Sequence, residues 1–454
     1  MATSVLDNML YKKGFTSETM GNIFSEKNSI QKLLDVEAVL ARAQAKIGMI
    51  PVEAAEIITE KAKYEIIDLA ELERQYAVTS HPFIPLLKAF TKNCGNAGQY
   101  VHWGATTQDI MDTAMILQVK EAYNEIFEKL LELNRSLVKM SKQHRDLIMM
   151  GRTNGQHALP ITLGFKFAVW TAETQRHILR ITECKDRLFV GQFSGAVGTL
   201  ASIGKQGINV RQLMFQELGL QEPVITWNTS RDNLVEFASV VGIMASTMGK
   251  IGNEVYTLQK QEFSELEDHI AAGSVGSSTM PHKRNPFEAL QIVSLSRLLR
   301  TVVFEAYETL ENEHERDPRS LSLEYDYIGR MCCMAAAALD KTIRLVDNLV
   351  VNEKSFERNM SLLQGLVYSE AVMMKLGEEI GRENAHELVH KLAMQATEKS
   401  VPFKDVLLSS EVISGRFTED EIDELLKPEN YLGLAQQFVD NVLSKNHDLL
   451  QDTQ

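Results

Sequence analysis

The sequence predicts an all-α protein, and three observations support this prediction. No glycine or proline occurs between Gly104 and Gly151, and apolar residues recur there at alternating steps of three and four, as in one long amphipathic helix. Strand signals are sparse elsewhere. Other long stretches also lack interior helix breakers, apart from a few glycines in the second of them: residues 165–190, 234–261, 286–315 and 330–364.

The helical stretches predict three consecutive domains. Residues 1–110 form an N-terminal helical domain, residues 111–364 form a central bundle of about five long helices, and residues 365–454 form a C-terminal helical domain. Helices of about 30 to 45 residues would extend about 45 to 65 Å, which is more than one small domain needs for its own core. We therefore expect a homo-oligomer in which the bundles pack together.

Composition and charge restrict the class of protein. The chain has 454 residues, of which 44% are hydrophobic and 24% charged, so it can bury a large core. A formal net charge of -14 argues against nucleic acid as a partner. The first residues lack the pattern of a signal peptide, and no window reaches the roughly 18 apolar residues of a membrane helix. These features predict a cytoplasmic protein without a membrane partner.

The four cysteines show no spacing suited to zinc or to a disulfide framework. They are Cys94, Cys184, Cys332 and Cys333. We expect buried, reduced thiols.

Four polar stretches interrupt the helical pattern, and each ends near the start of a predicted helix. The stretches are "TSHPF", "VHWGATTQD", "GRTNGQHALP" and "GSVGSSTMPHKRNP". Free backbone N–H groups and the helix dipole favour anions at such positions, so the pattern is compatible with binding of carboxylate or phosphate. Taken singly, the first three are equally compatible with ordinary capping and turn structure.

The fourth stretch, within residues 271–286, has the composition of a catalytic loop. Glycines and paired serines provide a mobile backbone, while Lys283 and Asn285 add a cation and an amide donor. A serine acts as a base only when its pKa is lowered by several units. Lys283 and the start of the helix after Pro286 are suitably placed in the sequence to lower it.

At this point the sequence resembles the fumarase/aspartase superfamily. "GSSTMPHKRNP" is similar to the signature of that superfamily, and "VHWGATTQDIMDTA", "GRTNGQHALPITLG", "TSRDNLVEFAS" and "NEHERD" resemble the branch of adenylosuccinate lyase and 3-carboxy-cis,cis-muconate cycloisomerase. The resemblance implies a homotetramer with a twenty-helix core and active sites shared between subunits. It also implies reversible elimination on a small di- or tricarboxylate substrate of succinyl type, with no metal and no cofactor.

The same resemblance implies roles for individual residues. Ser277 would be the general base, and His157 or His81 the general acid, with His102 as a further candidate. Lys283 and Asn285 would stabilise the aci-carboxylate that forms when the proton beside a carboxylate is removed. The implied substrate-binding residues are Thr106, Thr107, Gln108, Arg152, Thr153, Gln156, Arg231, Ser278, Met280, Lys283, Asn285 and Arg316.

Three positions depart from the pattern of adenylosuccinate lyases. Asn154 stands where those enzymes carry a histidine, Pro82 replaces an aspartate, and Tyr325 lies near the position of a phosphate-binding arginine. These departures disfavour AMP as the leaving group. Asn154 and Tyr325 also replace tryptophans that are usual in the cycloisomerases.

The sequence most favours a C–N lyase that releases fumarate from a succinyl-amine adduct. The alternatives are a lactone-forming cycloisomerase, a sibling lyase acting on another N-succinyl compound, and a non-catalytic, crystallin-like helical scaffold. The intact Ser277, Lys283 and Asn285 argue against the scaffold, because a scaffold does not need a mobile cationic loop.

Overall fold

The protein is all-α, as predicted. The computed structural model describes residues 4–269, 279, 280 and 282–452. Its helices are α1 Glu18–Ile23, α2 Glu26–Lys46, α3 Val52–Lys61, α4 Leu69–Thr79, α5 Ile84–Asn93, α6 Thr107–Gln143, α7 Leu163–Leu188, α8 Gln206–Leu218, α9 Asp232–Leu258, α10 Phe287–Tyr307, α11 Pro318–Asp347, α12 Glu353–Ser361, α13 Ser369–Ile380, α14 Arg382–Lys399, α15 Phe403–Leu408, α16 Glu411–Ser414, α17 Glu419–Leu425 and α18 Ala435–Asp452.

Two small antiparallel sheets interrupt the helices. Strands β1 (Ile148–Thr153) and β2 (Gln156–Thr162) form a hairpin, and β3 (Leu266–Glu267) pairs with β4 (Val350–Val351). The hairpin was not predicted, although Asn154-Gly155 carries its signal. Both residues have positive φ, at 53° and 77°, as a two-residue type I′ turn requires.

The long helices agree with the sequence pattern to within a few residues, except that α10 ends at Tyr307 rather than near 315 and that α11 has different bounds. This helix begins at Pro318, twelve residues before the predicted start at 330, and ends at Asp347 rather than near 364. Proline is favoured in the first helical turn, and the Asp317 carboxylate accepts the N–H of Arg319 at 3.1 Å. The absence of breakers therefore indicated helix in this region but did not fix where the helix begins or ends.

The packing divides the chain into two compact units. The first comprises Met1–Leu131, His177–Gly249 and Gln291–Lys341, and the second comprises Glu132–Arg176, Lys250–Leu290 and Thr342–Gln454. Because these units join distant parts of the chain, they do not test the three-domain division, which stays a prediction. The second unit contains a tight apolar cluster of helices α13 to α17, centred on Leu376, Phe403 and Ile413.

Helix α9 is long and apolar enough to cross a membrane by length and composition, contrary to the prediction that no window of the sequence has this character. In the protein 72% of its most apolar window is buried, as in the core helix of a globular fold. All four cysteines are buried and free of disulfides, as predicted. Burial raises the pKa of Cys94 to about 11 and that of Cys184 to about 12.

Candidate active site

The predicted site residues fall into two sets, one in each unit. The first set contains His81, Thr106, Thr107, Gln108, Arg231 and Arg316. The second set contains Arg152, Thr153, Gln156, His157, Met280, Lys283 and Asn285. Ser277 and Ser278 lie outside the described residues.

His81 lies between α4 and α5, and its ring caps α5. Its Nδ1 accepts the backbone N–H groups of Phe83 at 3.1 Å and Ile84 at 3.3 Å. A nitrogen that accepts cannot also carry a proton, so these bonds favour the neutral ring with its hydrogen on Nε2. Burial and the charge of Arg316 lower the pKa of His81 as well. This geometry suits a hydrogen-bond donor and is unfavourable for a general acid.

The start of α6 places a hydroxyl beside a cation. An Nη1 hydrogen of Arg316 is donated to Thr106 Oγ1, and Arg316 is exposed. The backbone around Thr106 is fixed by the buried Asp109 carboxylate, which accepts the N–H groups of Thr106 at 3.0 Å, Ser194 at 2.9 Å and Gly195 at 2.9 Å. Burial raises the pKa of Asp109 to about 6 although these three N–H groups oppose the shift.

Gln108 and Arg231 belong to a buried polar network. Both N–H groups of the Gln108 amide are used, one for Asp112 Oδ2 at 3.2 Å and one for the Asn228 carbonyl at 3.0 Å. Arg231 has no exposed side-chain surface and forms bidentate pairs with Asp112 and Glu324, at distances of 2.5 to 3.0 Å. In this arrangement the two side chains support the site rather than present free donors to an anion.

His102, the third histidine candidate, is tied to a buried glutamate. Its Nδ1 lies 2.6 Å from Glu37 Oε1, and its backbone N–H is donated to Glu37 Oε2 at 3.1 Å. Burial alone would lower the pKa of His102, but the hydrogen bond and charge of Glu37 outweigh burial and raise it. The pair anchors the chain just before α6.

In the second set, Arg152 anchors the hairpin through Glu265. Its Nη1 and Nη2 donate to the two carboxylate oxygens of Glu265 at 2.9 and 2.6 Å, and its guanidinium lies 5.1 Å from the centre of the Phe263 ring. Glu265 is fully buried and also accepts from Asn359 Nδ2 at 2.7 Å. The sequence reading missed Glu265, which lies 113 residues from Arg152 in the chain.

His157 pairs with Arg152 in the register of the hairpin. Its Nδ1 is buried, and no residue in the described part of the chain gives it a hydrogen bond. Burial, followed by the charge of Arg152, lowers the pKa of His157, and Glu265 opposes the shift. The neighbouring side chains of Thr153, Asn154 and Gln156 are exposed.

The described part of the predicted catalytic loop leads directly into α10. Lys283 is exposed, and its backbone N–H is donated to the Met280 carbonyl at 3.0 Å. Asp268 accepts the N–H groups of Glu288 at 2.8 Å and Ala289 at 3.3 Å. The first turn of α10 is therefore already occupied by a carboxylate of the same chain.

Side chains of the protein accept backbone N–H groups at the starts of four helices. The sequence predicts that free N–H groups at these starts favour a substrate anion. At α5, α7 and α10 a side chain accepts an N–H group of the first turn, whereas at α6 the accepted N–H group is that of Thr106, just before the helix. These side chains are His81 at α5, Asp109 at α6, Thr162 at α7 and Asp268 at α10. Arg316 in the first set and Lys283 in the second set are exposed cations, and they remain candidates for anion binding.

The helical fold and the matching family models define a lyase of the fumarase/aspartase type. A family model described as "Lyase" matches residues 12–297, and one described as "Adenylosuccinate lyase C-terminus" matches residues 365–442. The chain therefore belongs to the fumarase/aspartase superfamily and is a lyase.

Similar proteins differ in their named substrates. An N-acetyl-S-(2-succino)cysteine lyase of Enterococcus italicus is 39% identical, with 98% of each chain covered. An adenylosuccinate lyase of Methanocaldococcus jannaschii is also 39% identical, with 93% of each covered. The crystal structure of the 3-carboxy-cis,cis-muconate lactonizing enzyme of Pseudomonas putida superposes with a TM-score of 0.93 at 36% identity, covering 98% of this chain and 100% of that one.

Proposed function

We propose that the protein catalyses reversible β-elimination on a 2-succinyl adduct, releasing fumarate and a small leaving group. The observation that carries this proposal is the contact between Arg316 and Thr106 beside His81. A cation, a hydroxyl and an Nε2–H donor together suit one carboxylate of a succinyl group. The proposal is also supported by the relatives, whose names include two kinds of succinyl compound.

In this proposal the second set performs the proton removal. Ser277 takes the proton from the carbon beside a carboxylate, and the exposed Lys283 stabilises the resulting aci-carboxylate with Asn285. Ser278 and Met280 complete the substrate-binding loop, while Thr153 and Gln156 present polar groups at the tip of the hairpin. Arg152 acts through its pair with Glu265 and holds the hairpin in position.

The leaving atom follows from the weakness of the general acid. An amine leaves only if it is protonated during bond cleavage, whereas a thiol with a pKa near 8.5 leaves as the thiolate without help. Asn154 has no proton to give near neutral pH, and the ring of His81 is held in its neutral form by two N–H donors. We therefore favour sulfur: the C–S bond breaks, its electron pair stays on sulfur, and the C=C bond of fumarate forms.

Nitrogen as the leaving atom is the second candidate, favoured by His157. The half-buried ring of His157 has a buried Nδ1 without a hydrogen bond from any described residue, so its ring is not committed to a structural contact. Once protonated, that ring is a stronger acid than an ordinary histidine because its pKa is lowered. The C–N lyase predicted from the sequence thus depends on His157.

We further propose a cytoplasmic homotetramer whose complete active sites combine residues of several copies. The resemblance to the superfamily supports this assembly, as do the long helices α6 and α11 of 37 and 30 residues. Mass measurement of the purified protein by sedimentation checks the subunit number.

The test compares three compounds with the purified protein, with fumarate or lactone formation followed by ultraviolet absorbance. We expect fumarate from N-acetyl-S-(2-succino)cysteine and slower or no release from adenylosuccinate. Preferred turnover of adenylosuccinate would select the C–N candidate, and lactone formation from 3-carboxy-cis,cis-muconate would select the cycloisomerase. No turnover of any compound would overturn the proposal and favour the scaffold.

The variant Ser277→Ala tests the proposed general base, with Ser274→Ala as its control. We expect it to abolish turnover without changing the sedimentation of the protein, and Ser274→Ala, in the same stretch of sequence, to remain active. Wild-type kcat in Ser277→Ala would remove Ser277 from the mechanism.

A further inference from the structure

A cavity of about 650 Å³ lies within the first unit, next to the first set of site residues. Pro82, the neighbour of His81, lines it, and so does Met111 of α6. Tyr325 of α11 closes this wall, with its hydroxyl 3.9 Å from Met111 Sδ. The cavity therefore adjoins the position where the succinyl group is proposed to bind, and it is available for the rest of the substrate.

Three of the charged groups in the cavity wall, Arg330, Asp326 and Glu324, are paired with partners within the fold. Arg330 donates to Asp326 at 2.7 Å and also to Glu305. Glu324 is paired with the buried Arg231 at 2.5 Å. These groups are committed to partners within the fold, and because each arginine faces two carboxylates, each cluster keeps one negative charge.

Three other charged groups in the wall are not paired. Lys12, Asp7 and Glu26 line the cavity, and none of them forms an ion pair with a residue that the structure describes. The stem of Lys12 lies over Gly21, which also lines the cavity, with Cε 3.8 Å from where a Cβ would stand on that glycine. The wall thus offers one cation and two carboxylates to a ligand.

We infer that this cavity binds the leaving group and that this group is a zwitterionic α-amino acid. The inference rests on the proposed function. Lys12 is complementary to the α-carboxylate, and Asp7 and Glu26 are complementary to the α-ammonium group. The apolar wall that includes Met111 accommodates the side chain that carries the leaving atom.

The charge balance separates three classes of leaving group. The unpaired groups of the wall sum to one negative charge, and each of the two arginine clusters keeps one more. The wall therefore favours a ligand with an ammonium group and opposes an N-acylated amino acid with only a carboxylate. A nucleotide phosphate carries about two negative charges at neutral pH and is opposed more strongly. The chemistry of the wall therefore selects substrates with a free amino group.

The experiment measures kcat/KM of the wild-type protein for S-(2-succino)cysteine and for its N-acetyl derivative. We expect the free amine to be preferred by about tenfold, equivalent to about 1.4 kcal/mol. Glu26→Gln should reduce this preference severalfold, because it removes one partner of the ammonium group. Lys12→Met should raise KM for both compounds about tenfold while leaving kcat nearly unchanged.

Matched controls exist for both variants. Glu18 and Glu26 are each the first residue of a helix after a serine N-cap, but only Glu26 lines the cavity, so Glu18→Gln should retain the preference. Lys13 is the exposed neighbour of Lys12 and does not line the cavity, so Lys13→Met should retain the wild-type KM.

The outcomes distinguish the two proposals. If the wild-type protein released fumarate from neither compound, the favoured C–S candidate of the proposed function would fail and the inference would fall with it. Equal kcat/KM for the two compounds, or no effect of Lys12→Met and Glu26→Gln, would overturn the inference alone.

Discussion

The two sets of site residues are held by different kinds of anchor. At the start of α6 one carboxylate, Asp109, accepts three backbone N–H groups, so it fixes the path of the chain whatever the neighbouring side chains are. In the hairpin the anchor is the side-chain pair Arg152–Glu265, which needs both partners. The comparison teaches that loss of the hairpin anchor leaves an uncompensated charge, whereas loss of the α6 anchor leaves unsatisfied amides.

The largest effect is expected from breaking the hairpin anchor. Glu265→Ala removes a fully buried carboxylate and leaves Arg152 without its partner, which should lower the free energy of unfolding by about 3 to 5 kcal/mol. Thermal unfolding followed by circular dichroism measures the loss. Glu254→Ala, which breaks the more exposed Lys166–Glu254 pair of the same unit, should cost much less.

A double variant sharpens this test. Replacing the buried pair by apolar side chains in Arg152→Met/Glu265→Met should recover part of the stability, since no unpaired charge remains. A double variant less stable than Glu265→Ala would show that the pair itself, not the orphaned charge, supplies the stability.

A smaller loss of stability is expected when the anchor of α6, Asp109, is replaced. Asp109→Asn keeps one acceptor oxygen but turns an amide N–H group toward backbone donors, which should lower the free energy of unfolding by about 1 to 3 kcal/mol. Fumarate release should fall as well, because Thr106 is displaced. Unchanged kcat/KM together with lowered stability would limit Asp109 to a structural role.

The same variant has a pH signature. The pKa of Asp109 is raised from 3.8 to about 6, so the native protein binds this proton more readily than the unfolded chain does. Its contribution to stability therefore decreases as the pH rises from about 4 to 6. The stability difference between wild type and Asp109→Asn should be largest near pH 4 and smallest above pH 6, when unfolding is measured across that range.

The smallest effect is expected in the hairpin turn. Gly155→Ala places a side chain at φ 77°, and the added Cβ would meet nothing within 4 Å, so the cost is the backbone strain of about 1 kcal/mol. Glycine readily adopts the φ of 53° found at Asn154, so Asn154→Gly should leave the free energy of unfolding nearly unchanged in thermal unfolding. Equal losses in the two variants would contradict a turn governed by backbone conformation.

The sequence predicted helices better than it predicted their caps. The alternation of three and four apolar steps identified α6, because burial of one helix face is a local property of the chain. At α11 the run without helix breakers predicts a start at residue 330, whereas the helix begins at Pro318, a residue type favoured in the first helical turn.

The sequence predicts which residues belong to the candidate site but not what each of them contacts. Motifs pointed to Arg231 and Arg152, yet their roles depend on Asp112, Glu324 and Glu265, which lie 93 to 119 residues away in the chain. Burial decides whether an arginine is free for substrate, and burial is a property of the tertiary fold.

The buried cysteines have a consequence for an enzyme that makes fumarate. Fumarate is an electrophilic alkene that alkylates thiolates, so the proposed product is a potential inactivator of the enzyme that releases it. With its pKa raised to about 11, Cys94 is present as thiolate in roughly one molecule in ten thousand at pH 7. Cys184, with a pKa raised to about 12, is less reactive still. Burial of these thiols protects the protein from covalent modification by its own product.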